Sequence, residues 1–426
     1  MEFSTDLAYA KTLDASDPLR AFRQAFLLPK HGDGDAIYFL GNSLGLQPRS
    51  TASAIQAVLD QWSESGVEAF FKGKTPWLDF HSKLTTPLSR IVGCQPHEIV
   101  VMNQLSVNLH LMLASFYRPM GKRTKILCEY KAFPSDQYVL HSHVQHRGYD
   151  PSETLIEVKP REGEYTIRLE DIVARIEENI EELALVFWGG VNYYTGQVFD
   201  MKSITKAAHL AGALAGFDLA HAAGNVSLDL HDWDVDFACW CSYKYLNSGP
   251  GAMGAAFIHE RFHKDAHLNR LAGWWGNRAD TRFQMKPEFD PEADASGWQL
   301  STPSPILYAA LLASLQVFEQ AGYENLIKKS RGMQAYLHGW IHDILETAPS
   351  GSMILLTPDQ TEERGSQISL LFPRAGRELF NLMETQGIYA DWREPDVIRV
   401  APVPLYNTFE EIHQFGRILK KALMER

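Results

Sequence analysis

A chain of 426 residues with 45% hydrophobic and 22% charged side chains has the composition of an ordinary globular protein, and its length points to two domains. The formal charge of −12, from 40 basic and 52 acidic side chains interspersed along the chain, argues against a nucleic-acid surface or an anionic membrane face, which need basic stripes. No run of 18 apolar residues offers a membrane span, the N-terminus lacks the basic start of a signal peptide, and Cys94, Cys128, Cys239 and Cys241 form no CxxC pair; buried reduced thiols in a cytoplasmic protein are expected.

In chain order, residues 36–40 (AIYFL) read as a short strand, followed by GNSLG and a helix from 51 with apolar residues at helical spacing. EIVVM then reads as a buried strand, SVNLHLMLASFY as a helix and KILCEY as a strand ending at KAFPSDQY. LALVFWGGV, ALAGFDLA, DFACWCSY and GAAFIH continue the strands, with the helix DMKSITKAAHLAG after the first. Apolar runs of this length alternating with helical patterns predict an α/β fold with a mostly parallel central sheet covered by helices. From about residue 305 a long helical stretch leads into shorter strands (ILLTP, SQISLLF, IYADW, VIRVAP) and a last helix opened by a Thr408/Glu411 capping box. The expected division is an N-terminal segment (1–45) packing with a small α+β domain (306–426), and a large domain (46–305) between them.

In parallel sheets the ligand sits beyond the carboxyl ends of the strands. Ser106, Asp136, Asp218, His221 and Lys244 all fall there. A lysine directly after a run as apolar as FACWCSY is paired, snorkelling or held to react. With Asp218 at the end of the preceding strand, the pattern suits a pyridoxal phosphate site: Lys244 as the Schiff-base amine and Asp218 as the carboxylate tuning the pyridine nitrogen. Leu105 and Ser106, at a strand-to-helix junction, can cradle a phosphate. The segment Phe133-Pro134-Ser135-Asp136 offers an aromatic face and a second carboxylate. Each residue alone has a plainer reading: a turn carboxylate for Asp218, a solvated lysine for Lys244, an N-cap for Ser106, a core histidine for His221.

Two other signals compete. GNSLG (41–45) matches the G-x-S-x-G nucleophile elbow with Ser43 as nucleophile, but it follows the first clear strand, too early for the middle of a hydrolase sheet. His141, His143 and His146 lack a carboxylate or cysteine partner at a familiar metal spacing and are expected on a polar helix surface.

The segments FLGNSLGLQP, MNQLSVNLH, KAFPSDQY, GVNYYTGQVFD, FDLAHAAGNVSLDLHDWDVDFACWCSYKYLNSGPG, GWWGN, ERGSQISL and IRVAPVPLYN resemble the kynureninase family of aspartate-aminotransferase-like (fold type I) pyridoxal phosphate enzymes, from about Tyr38 to Asn407. The resemblance implies hydrolysis of L-kynurenine or its 3-hydroxy derivative to anthranilate or 3-hydroxyanthranilate and L-alanine, in tryptophan catabolism and NAD precursor synthesis. It implies Lys244 as Schiff-base lysine and proton shuttle, and Asp218 as ring-nitrogen partner with Asp136 nearby. Phe133 would stack on the ring. Leu105, Ser106 and Tyr243 would hold the phosphate, Tyr243 also delivering a proton, and His221 would add a cofactor contact. Arg399 would grip the substrate carboxylate, with Ser43 and Phe70 near the substrate. Trp274 and Thr302 match residues supplied by a neighbouring subunit, implying a homodimer with shared sites. Gly189, Asn277, Thr302 and Phe70 depart from the family pattern; ring-hydroxyl preference is open on these residues. Other fold type I activities, of desulfurase or aminotransferase type, and a catalytically silent relative are the alternatives.

Overall fold

The structure, a computed structural model, describes residues 3–425. Seven apolar segments pair into one sheet: β1 (Ile99–Val101), β2 (Lys125–Glu129), β3 (Leu155–Val158), β4 (Leu183–Gly189), β5 (Leu214–Asp218), β6 (Phe237–Cys241) and β7 (Gly254–Ile258). Their spatial order is β3-β2-β4-β5-β6-β7-β1. Neighbours run parallel except β7, which is antiparallel to both β6 and β1. Successive side chains of β4 alternate between two cores, as the period of a strand requires: Leu185 and Phe187 face one layer, Val186 and Trp188 the other. Burial on both faces explains why these strands read as continuous apolar runs.

Sheet and helices approach closely at Gly216, where an added Cβ would overlap the Phe237 ring on the adjacent strand. That ring stacks in turn on Phe116, with centroids 4.7 Å apart.

Ile354–Leu355, Ile368–Leu371, Val397–Val400 and Asp391–Arg393 form, in that order, a second, antiparallel sheet. The Ile37–Tyr38 strand pairs with Ile388–Tyr389, and Asp14 accepts from the Phe409 and Glu410 amides at 2.9 Å, so the N-terminal segment is tied to the last helix (Phe409–Met424). That helix opens with the Thr408/Glu411 capping box and buries Ile412, Phe415, Leu419 and Leu423 on one face.

The long helical stretch is two helices, Pro305–Ala321 and Tyr323–Thr347, broken where Gly322 takes φ +76°. The first buries Tyr308, Leu311, Leu315 and Phe318 in the core of the large sheet, whereas Met333, Tyr336 and Trp340 of the second join the core of the small one. We propose the domain boundary near Gly322 on this basis. The three helix histidines also divide: His141 and His146 are exposed, but His143 is buried against His110 and Tyr117. The helix Pro134–His146 turns it inward with Leu140 and Val144, and burial pushes its imidazole down to about 4, hence neutral. Among the described residues no helix is long and apolar enough to cross a membrane.

Replacing Gly216 by Ala forces a methyl into the Phe237 ring, an overpacking that costs about 1–3 kcal/mol. A lowered melting temperature is expected; an unchanged one would show that the two strands separate freely.

Candidate active site

The carboxyl edge of the parallel strands gathers the candidate residues. β5 ends at Asp218, whose Oδ1 accepts the Ala220 amide at 2.6 Å and whose carbonyl accepts the Gly190 amide at 2.8 Å. β2 ends at Glu129, and a short turn then starts the Pro134–His146 helix, placing Phe133 at its N-cap and Asp136 in its first turn. β1 leads through Asn103, at φ +46°, into the helix Leu105–Phe116, leaving Ser106 and the first helical amides at the rim. β6 ends at Cys241, and the loop after it carries Tyr243 and Lys244. Lys244 is buried, its Nζ 5.8 Å from the Phe133 ring centroid and 6.0 Å from that of Tyr243.

These residues line a cleft of about 200 Å³ that includes Leu105, Ser106, Phe133, Ser135, Asp136, Gly189, Asp218, His221, Tyr243 and Lys244. Pro134 is not on its walls; as the first residue of the helix it sets the turn that presents Phe133.

GNSLG braces this cleft from outside. The Gly45 amide donates to the Tyr243 carbonyl at 2.8 Å, and a Cβ on Gly45 would overlap the Lys244 carbonyl. The Ser43 hydroxyl donates to Asp391 Oδ2 at 2.6 Å. The motif's glycines therefore serve close packing, and its hydroxyl is committed to a carboxylate.

Arg399 is fully buried on Val397–Val400. Asp391 holds it, with Nη2–Oδ2 2.8 Å and Nε–Oδ1 3.2 Å, and its Nη1 donates to the carbonyl of Tyr193, a residue of the cleft wall. Phe70, Trp274, Asn277 and Thr302 lie outside this cleft. Phe70 packs edge-on to Trp77, centroids 5.0 Å apart, and against Trp275. Asn277 accepts the Asp290 amide at 2.8 Å, next to its antiparallel bridge with Pro291. Trp274 is 46% exposed and Thr302 is exposed.

The electrostatics follow from burial. Asp136 and Asp218 are both desolvated and lie together. Burial raises both, and the Asp218 charge raises Asp136 further, so Asp136 is the protonated partner and donates to Asp218. His221 is driven well below its ordinary value by burial and then by the Lys244, Arg399 and Arg393 charges, so its ring is neutral; Nδ1 is buried without a partner. Tyr243 is raised by burial and stays protonated.

Gln104, part of the strand-to-helix junction expected to cradle a phosphate, is on the cleft wall; sequence reasoning passed over Glu129, Val191 and Tyr193 there, and Asp391 behind Arg399. Glu129 carried a usable signal, being a carboxylate at the end of an apolar strand just as Asp218 is. Burial pushes it up to about 7, partly offset by a hydrogen bond from Asn192 Nδ2.

Strand order, the single antiparallel β7, the lysine after β6 and the carboxylate ending β5 together define the fold type I class of pyridoxal phosphate-dependent enzymes. Solved structures share the fold, two of them as follows. The cystine C–S lyase C-DES in complex with cysteine persulfide has a TM-score of 0.75 at 18% identity, covering 90% of this chain and 97% of that one. A cysteine desulfurase from Thermococcus onnurineus gives 0.74 at 15%, covering 100% and 99%.

Sequence comparison narrows the class. The model for the kynureninase C-terminal domain matches residues 326–419. The kynureninase of Flavobacterium psychrophilum is 51% identical with 100% of both chains covered, and that of Stenotrophomonas maltophilia 50% identical with 96% of each covered. The chain belongs to the kynureninase family.

A carboxyl raised from 4.5 to about 7 in the fold keeps its proton where the unfolded chain loses it. Its contribution is full below the unfolded value and is lost as pH rises through the folded one, about 3 kcal/mol in all. The cofactor-free protein should therefore lose melting temperature between pH 5 and 7 more steeply than Glu129→Gln does. Parallel profiles would remove the assignment.

Proposed function

We propose that this protein hydrolyses L-kynurenine, or 3-hydroxy-L-kynurenine, to anthranilate, or 3-hydroxyanthranilate, and L-alanine, as a pyridoxal phosphate enzyme of tryptophan catabolism. The observation that carries the reading is full-length identity of about half to kynureninases, together with a cleft in which Lys244 faces Phe133, with Asp218 on the same wall.

The residues present fit the cofactor. The unpartnered His221 Nδ1, the proton-sharing Asp136–Asp218 pair and the open first turn of Leu105–Phe116 are polar groups turned to one cleft without protein partners enough to satisfy them. Bound there, pyridoxal phosphate supplies an aldehyde for an amine and a ring that takes up charge from a substrate α-carbon. Asp218 would keep the ring nitrogen protonated, with Asp136, itself protonated, steadying Asp218. Ser106 and the Leu105 and Ser106 amides would hold the phosphate. Phe133 would offer the ring an aromatic surface, and His221, neutral, would add a polar contact without a competing charge.

Arg399 binds the substrate carboxylate through its planar fork, which suits a bidentate pair. Asp391 aims that fork from behind, and Ser43 and Arg393 complete the Asp391 shell. The Lys244 amine would take the α-proton and give it back to that carbon as alanine forms. Water then adds to the side-chain ketone and the Cβ–Cγ bond breaks. Tyr243, kept protonated by burial, delivers a proton to the alanyl carbon. Gly189 leaves the wall beside Glu129 open, since even a Cβ there would sit 3.3 Å from Glu129 Oε2.

The active unit is a homodimer with shared sites. Trp274 and Phe283 pack at 5.6 Å and Phe283 and Phe71 at 5.6 Å, all substantially exposed and none in this chain's own cleft. Such a patch suits burial against a second copy, which would bring Trp274, Thr302, Asn277 and Phe70 toward the other subunit's substrate. The four cysteines are unpaired, which suits a reducing compartment such as the cytoplasm.

Anthranilate fluorescence should appear when kynurenine is added to the protein loaded with pyridoxal phosphate. Lys244→Ala should lose more than the roughly 10²–10⁴-fold of an ordinary general base; near-normal turnover would refute its role. Sedimentation is expected to show a dimer, with Trp274→Ala lowering kcat/KM; a fully active monomer would sink the shared-site reading.

A further inference from the structure

A second cavity, of about 110 Å³, lies where the two domains meet, lined among others by Asn225, Ser330, Arg331, Gln334, Glu362 and Arg364. Gln334 is the informative residue. It is 5% exposed, and neither its Nε2 nor its Oε1 has a hydrogen-bond partner. Leaving both ends of a buried amide unpaired is costly, and such groups point to something the protein binds. Arg364 repeats the signal: Nη1 is used by the Asp359 carbonyl at 2.6 Å and His338 Nδ1 at 2.9 Å, but its buried Nε has no partner.

The backbone is shaped for this cavity. The helix Tyr323–Thr347 sets Ser330 and Gln334 four residues apart on one face. Opposite, Gly365 lets its loop pass against Asn225, where a Cβ would lie 2.6 Å from Asn225 Nδ2. The lining holds two guanidinium groups and one carboxylate, Arg331, Arg364 and Glu362. One net positive charge, a free N–H on Arg364 and a free amide on Gln334 match a ligand with a single negative charge that accepts hydrogen bonds. Glu362 disfavours a phosphate or a dianion.

We propose that this cavity is a second binding site, for a small monocarboxylate, separate from the cleft that holds Lys244. Arg364 and Gln334 receive the carboxylate and Arg331 supplies long-range attraction. Asn225 links the site to the cleft: its Oδ1 accepts the Ser366 amide at 2.8 Å and its Nδ2 donates to the His221 carbonyl at 2.8 Å. The next residue, Gln367, donates to the Tyr193 carbonyl at 2.9 Å, the acceptor that also receives Arg399. A ligand here therefore clamps the two domains at the joint that sets Arg399 against Lys244.

Trifluoroacetate is the probe, followed by ¹⁹F relaxation with the cofactor-loaded enzyme. Arg399→Ala removes competing binding in the first cleft, so probe binding that survives in this variant reports the second site. Against that background Gln334→Leu and Arg331→Ala should each weaken binding at least tenfold. Arg331 is exposed on its helix, so that variant keeps the proposal testable if Gln334→Leu fails to fold. Loss of all binding in Arg399→Ala, as for a cavity holding only water, would overturn the proposal. So would second variants that bind like their Arg399→Ala parent.

Discussion

Desolvation of ionisable groups at one edge of a parallel sheet is the constraint on which the rest of this structure depends. Asp218, Asp136, His221, Lys244 and Glu129 are each nine-tenths or more buried in the same cleft. Charges and polar groups are expensive there unless they share protons, pair or await a ligand. The protein does each of these. Asp136 keeps a proton for Asp218, Glu129 is held by Asn192, and His221 is neutral with a free nitrogen. Such a cleft is poised for a charged, polar cofactor, and the surrounding strands, buried on both faces, keep it rigid.

The small domain reaches the cleft through a limited set of polar bonds. Arg399 and Gln367 both end on the Tyr193 carbonyl, and Asn225 joins Ser366 to His221. The 190–197 loop is ordered in turn by Asn192, whose Oδ1 accepts the Tyr194 and Thr195 amides at 2.8 and 2.7 Å and whose Nδ2 donates to Glu129. The buried Arg399 and the cleft wall thus share one loop. The GNSLG turn adds a second tie, with Gly45 against the Lys244 loop and Ser43 against the Asp391 that aims Arg399.

Much of this was legible because strand ends are legible. A charged residue that closes an apolar run, as Asp218 and Lys244 do, stands out against local composition. Glu129 has the same signature in KILCEY and was passed over for want of a motif around it. Asp391 and Tyr193 gave no comparable signal. Asp391 sits on a half-buried edge strand, and Tyr193 acts through its backbone carbonyl, which no side-chain pattern reveals. His143 looked like surface because its helix is polar overall; its burial depends on what packs against that helix. The Gly322 break was in view as a glycine, but a helical glycine and a helix-ending one differ only in the φ that the next packing surface imposes.

What the sequence by itself determined is the element order, the α/β class and the lysine–aspartate pair at the strand ends, because hydrophobic period and strand-end polarity are local properties of the chain. Its long, specific segments also carried the family resemblance. Which side chains face one another was decided only by the tertiary structure. It brought Glu129 against Asn192, Asp391 behind Arg399 and Gln334 into a cavity between domains, and it kept Trp274, Asn277 and Thr302 out of the chain's own cleft. Glu129 and Asn192 are 63 positions apart, and even Asp391 and Arg399, only eight apart, meet through the register of two antiparallel strands. Pairing register, crossovers and domain packing set such contacts, and no side-chain pattern encodes them.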